Sequence, residues 1–241
     1  MITCALTTLM ARAQQIENQG IFLGGPLEYF EVAGRKLMML LLNEGLMPGS
    51  KVLDVGCGSL RCGYWLIHFL DQNCYYGIEP DKAMRDAGLN ILLEPGLAEI
   101  KQPRFDENEQ FDFAVFGQQF DYIVARAIWI HASKAQIQTM LDEFVNVSTP
   151  SSTFLASYFP ATRDEDDYQG ATWIGRSRVS NQPASIRHRF DWIKAECARR
   201  KLTVEEIAEQ VFDFGHHNQI WLRIRHMTAG DLTYPKLLPC G

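Results

Sequence analysis

At 241 residues, the chain has room for one α/β domain with a full hydrophobic core, whereas two domains would each be small. Hydrophobic residues make up 46% and charged residues 22%, the proportions of an ordinary globular protein, which excludes disordered and fibrous classes. A formal charge of −6 with a pI near 5.5 argues against a broad nucleic-acid surface, because phosphate binding rests on clustered Lys and Arg.

Residues 1–15 lack a basic region followed by an apolar block, so no secretory signal is read there and a cytoplasmic location is expected. Leu27, Phe30, Ala33, Leu37 and Leu41 recur three or four apart behind Gly24-Gly25-Pro26, which predicts an amphipathic helix over 26–44. Its apolar run, 37–42, is far short of the roughly 20 residues that a bilayer span needs, so no membrane partner is expected. A Pro48-Gly49 turn leads to a short apolar run at 51–55, the mark of a strand buried on both faces. A helix over 61–70, a strand over 74–79, and a helix opened by Pro80-Asp81 that fades before Pro95-Gly96 complete the pattern of a parallel sheet.

Residues 111–116 read as a strand or strand-edge loop, and 120–125 as a better strand. Ser133 and Gln136 have the spacing of a capping box, with Ile137, Met140, Leu141 and Phe144 on one helical face behind them. A fifth strand is expected at 153–159. Residues 160–186 are rich in Asp, Gly, Ser and Arg without a period, which predicts an insertion or lid near the active face. A last helix over 190–200 leads to two strands, 203–211 and 219–225, joined by a turn around Gly215. The six cysteines, Cys4, Cys57, Cys62, Cys74, Cys197 and Cys240, form no C-x-x-C pair and are expected as reduced thiols.

The strongest chemical signal is Asp54-Val55-Gly56-Cys57-Gly58, at the end of the first strand and ahead of a helix. Glycine there lets a ligand approach the backbone closely. About 20 residues past Gly58, Glu79 ends the second strand, where a carboxylate can accept from both ribose hydroxyls. The two together point to an adenosine-containing cofactor. A dinucleotide fingerprint would need glycine at position 61, where Arg61 stands. Asp54 would also repel a pyrophosphate but attract an ammonium.

Asp54 to Gly58 resembles the first motif of class I S-adenosylmethionine-dependent methyltransferases, and Tyr76-Gly77-Ile78-Glu79-Pro80-Asp81 resembles their second. Residues 120–125, with His131 downstream, are similar to the fourth-strand motif of that superfamily. The motif's third glycine is replaced by Leu60, with Gly63 displaced. The resemblance implies an α/β fold with a Rossmann-like, seven-stranded, mostly parallel sheet, helices on both faces and an antiparallel last strand. The chain is expected to form a single domain: an N-terminal helical segment (1–47), a cofactor-binding core (48–159), the insertion (160–186), and the last helix and strands (187–241). The resemblance places Asp54, Gly56 and Gly58 at the methionine end of S-adenosylmethionine and Glu79 at the ribose, with Cys57 and Pro80 also in the cofactor site. Residues near Phe111 to Phe116, Phe116 among them, would flank the adenine, and Ala125 and Arg126 would border the sulfonium.

His131 follows the fourth strand at the carboxyl edge of the sheet, where a histidine can take a proton from a substrate hydroxyl; the other reading is a histidine that fixes its loop. Tyr158, Trp129, Arg126 and His188 are further candidates for substrate contact. Each assignment has a plainer rival: Asp54 as a turn cap, Glu79 as a helix cap, Phe113 and Phe116 as core. The acidic run 164–167 reads as a solvated loop and His216-His217 as a turn, so no metal is expected. The basic stretch 176–201 is a solvated face or a contact for an acidic small substrate. The reaction expected is methyl transfer to a small-molecule acceptor, most readily an oxygen, with a homodimer as an assembly open to the chain. The rivals are a nicotinamide-dependent oxidoreductase and a non-catalytic cofactor-binding partner of the same fold.

Overall fold

The computed structural model describes residues 8–175, 185–207 and 219–228. Seven strands lie in one sheet in the order β3-β2-β1-β4-β5-β7-β6: β1 (Val52–Val55), β2 (Tyr75–Ile78), β3 (Arg104–Asp106), β4 (Phe120–Ala125), β5 (Ser148–Tyr158), β6 (Leu202–Ile207) and β7 (Ile220–His226). Neighbours among β1 to β5 run parallel, and β7 runs antiparallel to both β5 and β6. The seven-stranded, mostly parallel sheet with an antiparallel last strand is therefore as expected.

Every residue of β1 and of β2 is buried, which is why these strands read as continuous rather than alternating apolar runs. Their side chains divide between two half-cores. Val52, Tyr75 and Val124 pack with α1 (Thr8–Asn18), α2 (Phe30–Asn43) and α3 (Gly63–Phe69). Leu53, Val55, Ile78 and Phe154 pack with α6 (Lys134–Val147) and α7 (Phe190–Arg199) on the other face. The first half-core also takes in α4 (Lys82–Ala87), continued by a π-turn at Gly88–Leu92, and the short α5 (Leu97–Lys101).

Local chemistry fixes the helix starts. Ser133 and Gln136 form the capping box: the Gln136 amide donates to Ser133 Oγ at 3.3 Å, and Gln136 Oε1 accepts from the Ser133 amide at 2.9 Å. Asp81 caps α4 by accepting from the Ala83 and Met84 amides. At the far end of α2, the Glu44 carboxylate, only 2% exposed, accepts from Arg223 and Arg225 of β7 and so ties the N-terminal helices to the antiparallel edge.

Of the two readings of 111–116 the loop is the one found, and the start of the fifth strand needs correction. The third strand is Arg104–Asp106, whereas residues 111–116 form a loop that ends in a 3-10 turn, Ala114–Phe116. Three residues with one apolar side chain, paired only with β2 at the sheet edge, leave no periodic signal. The fifth strand begins at Ser148, five residues early, because a register shift after Phe120 lets Ser148 pair ahead of Pro150. The turn around Gly215, His216-His217 and the end of the 203–211 strand lie outside the described residues.

The described part of the insertion is tied down at its root. Ala161 donates to the His188 carbonyl, His188 to that of Phe159, Tyr168 to that of Arg187, and Ile174 to that of His131. The acidic run is not simply solvated: Asp167 accepts from Lys134 Nζ at 2.6 Å and from the Arg189 amide, and Asp164 accepts from Arg189. Among the described residues, no helix is long and apolar enough to cross a membrane.

Candidate active site

The strand order reverses direction between β1 and β4, which opens a crevice at their carboxyl ends, the place where ligands bind in open α/β sheets. Asp54 pairs with Gly77 on one side and Val124 on the other. Two residues further on, Gly56 opens the loop after β1 and Arg126 the loop after β4.

The loop after β1 is held by backbone bonds: the Gly56 and Cys57 amides both donate to the Ile78 carbonyl, at 2.8 and 3.1 Å. Gly56 has φ 71°, and a Cβ there would lie 2.2 Å from Ile128 Cδ1, so only glycine fits. The Cys57 side chain turns away from the crevice, 5% exposed and packed on Gly77, and burial pushes its thiol well above the usual range. Leu60 adopts φ 61°, with its side chain fully buried. The left-handed backbone expected of glycine is thus present in a leucine, at a cost of roughly 1–2 kcal/mol.

Ser59 and Arg61 reach from this loop to the segment ahead of α2. Ser59 Oγ donates to the Phe22 carbonyl at 3.0 Å, and the Arg61 guanidinium donates to the carbonyls of Gly24 and Pro26, each at 3.0 Å. Arg61 lies over the Phe30 ring, 6% exposed, and its Nε has no partner. Burial, then the neighbouring Arg126, lowers its pKa to about 10.

Asp54 is 2% exposed and accepts from the Tyr75 hydroxyl at 2.9 Å; it caps no turn. Burial raises its pKa to about 6 against the opposing pull of Tyr75 and Arg126. Glu79 directly follows β2 with both oxygens oriented by backbone amides, Gly58 on one and Asp81 on the other, each at 2.9 Å. Burial raises its pKa, and the two amides oppose the rise. Pro80 follows, half-buried, and Met84 Cε lies near Gly58.

After β4 the chain passes from the buried Ala125 to the half-buried Arg126, which makes no hydrogen bond or ion pair with a described residue. Ala127 has φ 56°, and its amide donates to Ser157 Oγ at 2.7 Å. His131 comes next, half-buried, its Nδ1 2.8 Å from the Ile174 carbonyl and its ring 5.3 Å from that of Trp173. A carbonyl only accepts, so Nδ1 carries the proton and Nε2 is the basic nitrogen of the neutral ring. Trp173 also meets Phe111, which is held at φ 58°.

The structure brings Asp54, Gly56, Gly58, Glu79, Ala125 and Arg126 to one edge. It puts Phe116 elsewhere: that ring is 7% exposed and packs edge-on against Tyr76 and Phe120 in the core. His188 is also buried, its Nε2 donating to the Ala132 carbonyl, and Trp129 and Tyr158 are fully buried, with Tyr158 bonded to Glu206. These three are structural. Among the described residues, no three His, Cys, Asp or Glu side chains gather as a metal site. Sequence reasoning missed Tyr75, the clamp made by Ser59 and Arg61, and Trp173, whose contacts all join segments distant in sequence.

No protein-family model matches the chain, and no curated protein is similar to it. Solved structures do share its fold. Magnesium protoporphyrin IX methyltransferase from Synechocystis, with bound SAM, is 14% identical with TM-score 0.60, and the match covers 93% of this chain and 99% of that one. An S-adenosylmethionine-dependent methyltransferase from Clostridium acetobutylicum is 10% identical with TM-score 0.57, covering 81% of this chain and 91% of that one. An O-methyltransferase family protein from Burkholderia thailandensis is 12% identical with TM-score 0.53, covering 84% and 59%. At these identities the likeness establishes the fold, which is that of class I S-adenosylmethionine-dependent methyltransferases.

Proposed function

We propose that the protein transfers a methyl group from S-adenosylmethionine to a small-molecule acceptor, most readily at oxygen. The observation that carries this reading is the pair of buried carboxylates at the crevice, Asp54 beneath the glycine loop and Glu79 at the end of β2. Asp54 offers a negative charge to an ammonium, and would repel a pyrophosphate. Each Glu79 oxygen spends one acceptor site on an amide and keeps another for a ribose hydroxyl. The residues present therefore fit the methyl donor better than a dinucleotide.

S-adenosylmethionine supplies an electrophilic methyl group on a good leaving group, so the protein's task is alignment. Asp54 holds the ammonium of the donor and Glu79 its ribose, and Gly56 and Gly58 let it lie against the backbone. The Nε2 of His131 takes the proton of an acceptor hydroxyl, while Ile174 and Trp173 orient the ring. The described part of the insertion, residues 160–175, serves as the lid, and residues 176–184 of that expectation lie outside the described residues. A cytoplasmic protein acting alone or as a homodimer, without nucleic acid or membrane, agrees with this reading. The O-methyltransferase neighbour supports oxygen as the accepting atom.

Incubation of the protein with isotopically labelled S-adenosylmethionine and a metabolite extract, read by mass spectrometry, tests the proposal and identifies the acceptor. S-adenosylhomocysteine should also raise the melting temperature, since a ligand at 100 times its Kd adds about 2.7 kcal/mol to the folded state. A shift with NAD and none with either S-adenosyl compound would end this reading.

A further inference from the structure

We propose that Arg126 is the docking point for an acidic group of the methyl acceptor, a carboxylate or a phosphate-type anion; this rests on the methyl-transfer reading above and narrows its substrate class. Arg126 directly follows β4 at the β1/β4 crevice, ahead of the loop that carries His131 and close enough to Asp54 and Arg61 to act on both through space. Its backbone is built to stay there. Ala127 holds a left-handed conformation that an alanine adopts only under constraint, and Ser157 secures it by accepting the Ala127 amide and donating to Gln219 Oε1 at 2.7 Å.

Arg126 is half-buried, and its guanidinium forms no hydrogen bond or ion pair with a described residue. Other partly buried arginines of this protein have carboxylates: Arg12 has Glu94, Arg85 has Glu107, Arg200 has Asp142 and Glu196, and Arg223 has Glu44. A partly desolvated cation without a counterion is unfavourable, and a rigid guanidinium fork matches a carboxylate or phosphate. Asp54 attracts Arg126 through space but makes no ion pair with it. Asp54 is bonded to Tyr75 and is needed by an ammonium, and Arg61 adds a second buried cation, held by backbone carbonyls and the Phe30 ring. A donor with a sulfonium would add further positive charge beside Gly56. An anionic acceptor completes the site, and the same charge draws it toward the methyl group.

The test compares wild type, R126Q and R126K by calorimetry with S-adenosylmethionine and S-adenosylhomocysteine. The buffers contain acetate, inorganic phosphate or chloride at matched ionic strength, and folding is checked by the melting transition. Phosphate or acetate should tighten S-adenosylmethionine binding by wild type at least threefold over chloride, and the effective anion identifies the acid class. R126Q should lose this effect, and R126K should keep part of it. Should R126Q fail to fold, the wild-type anion effect must be larger for the sulfonium donor than for the uncharged thioether, and an equal effect overturns the inference. It is also overturned if wild type shows no anion effect or R126Q retains it in full. A third contrary result is R126Q weakening both compounds tenfold while a decarboxylated S-adenosylhomocysteine binds both proteins alike, because the guanidinium then holds the donor's own carboxylate. If wild type binds neither S-adenosyl compound, the methyl-transfer reading itself falls, whereas binding without an anion effect removes only the acidic acceptor.

Discussion

Tyr75 donates its hydroxyl to Asp54 at 2.9 Å, and each residue is only 2% exposed. The bond joins neighbouring strands beneath the glycine loop and supports a carboxylate that burial would otherwise disfavour still more. The pKa of Asp54 rises from 3.8 to about 6, so folding favours its protonated form. The sign follows: the associated stability is fully present below about pH 3.8 and is lost as pH rises through about 6. This rise corresponds to about 3 kcal/mol.

Asp54→Asn should therefore stabilise the free protein at pH 8, by about 1–3 kcal/mol in urea unfolding, with the gain vanishing near pH 4. The same substitution should weaken S-adenosylhomocysteine binding at least tenfold, and wild-type affinity should decline as pH falls through about 6. Destabilisation at pH 8 with unchanged affinity would make Asp54 a purely structural partner of Tyr75.

Glu79→Ala removes a carboxylate placed to receive two ribose hydroxyls, each bond being charge-assisted and worth roughly 1.5–3 kcal/mol. Calorimetry should show cofactor affinity at least tenfold weaker. Because the amides of Gly58 and Asp81 also lose their acceptor, a modest drop in melting temperature should accompany it. A drop in stability with full affinity would leave Glu79 as a brace between the loop and α4.

The parts of this architecture that are local or periodic were legible in the sequence. The Ser133 capping box, the buried runs of β1 and β2, and the glycine loop with Glu79 about 20 residues on each follow from short-range rules. What escaped was set by tertiary contact. Strand β3 gains its identity from pairing with β2, not from its own three residues. Phe116 could not be told from an adenine platform until Tyr76 and Phe120 were seen around it. Arg61 was read only as a missing glycine, because the carbonyls it holds lie 35 and 37 residues earlier.

Arg61→Met should expose the consequence of that clamp. It leaves the carbonyls of Gly24 and Pro26 without their donor and removes the cation over Phe30. A loss of roughly 1–3 kcal/mol in chemical unfolding is expected. Chymotrypsin should cut faster after Phe22, which is already 38% exposed. Unchanged cleavage and stability would show that Ser59 and the apolar contacts of Leu23 hold the segment by themselves.

The sharpest division of roles lies at His131. Its Nδ1–H is engaged by the Ile174 carbonyl and its ring lies near Trp173, so the same side chain can anchor the insertion and present Nε2 to an acceptor. His131→Gln keeps a donor for the insertion but has no basic nitrogen. General-base catalysis contributes about 10²- to 10⁴-fold, so turnover with a hydroxyl acceptor should fall at least a hundredfold while cofactor affinity stays within about threefold. Steady-state kinetics beside calorimetry separate these effects. Joint loss of stability and cofactor binding would assign His131 to the anchoring of Ile174 alone. Full turnover would mean that the acceptor needs no base, the behaviour expected of an already ionised carboxylate or phosphate oxygen, and the buried His188, bonded to Ala132, could not substitute for it.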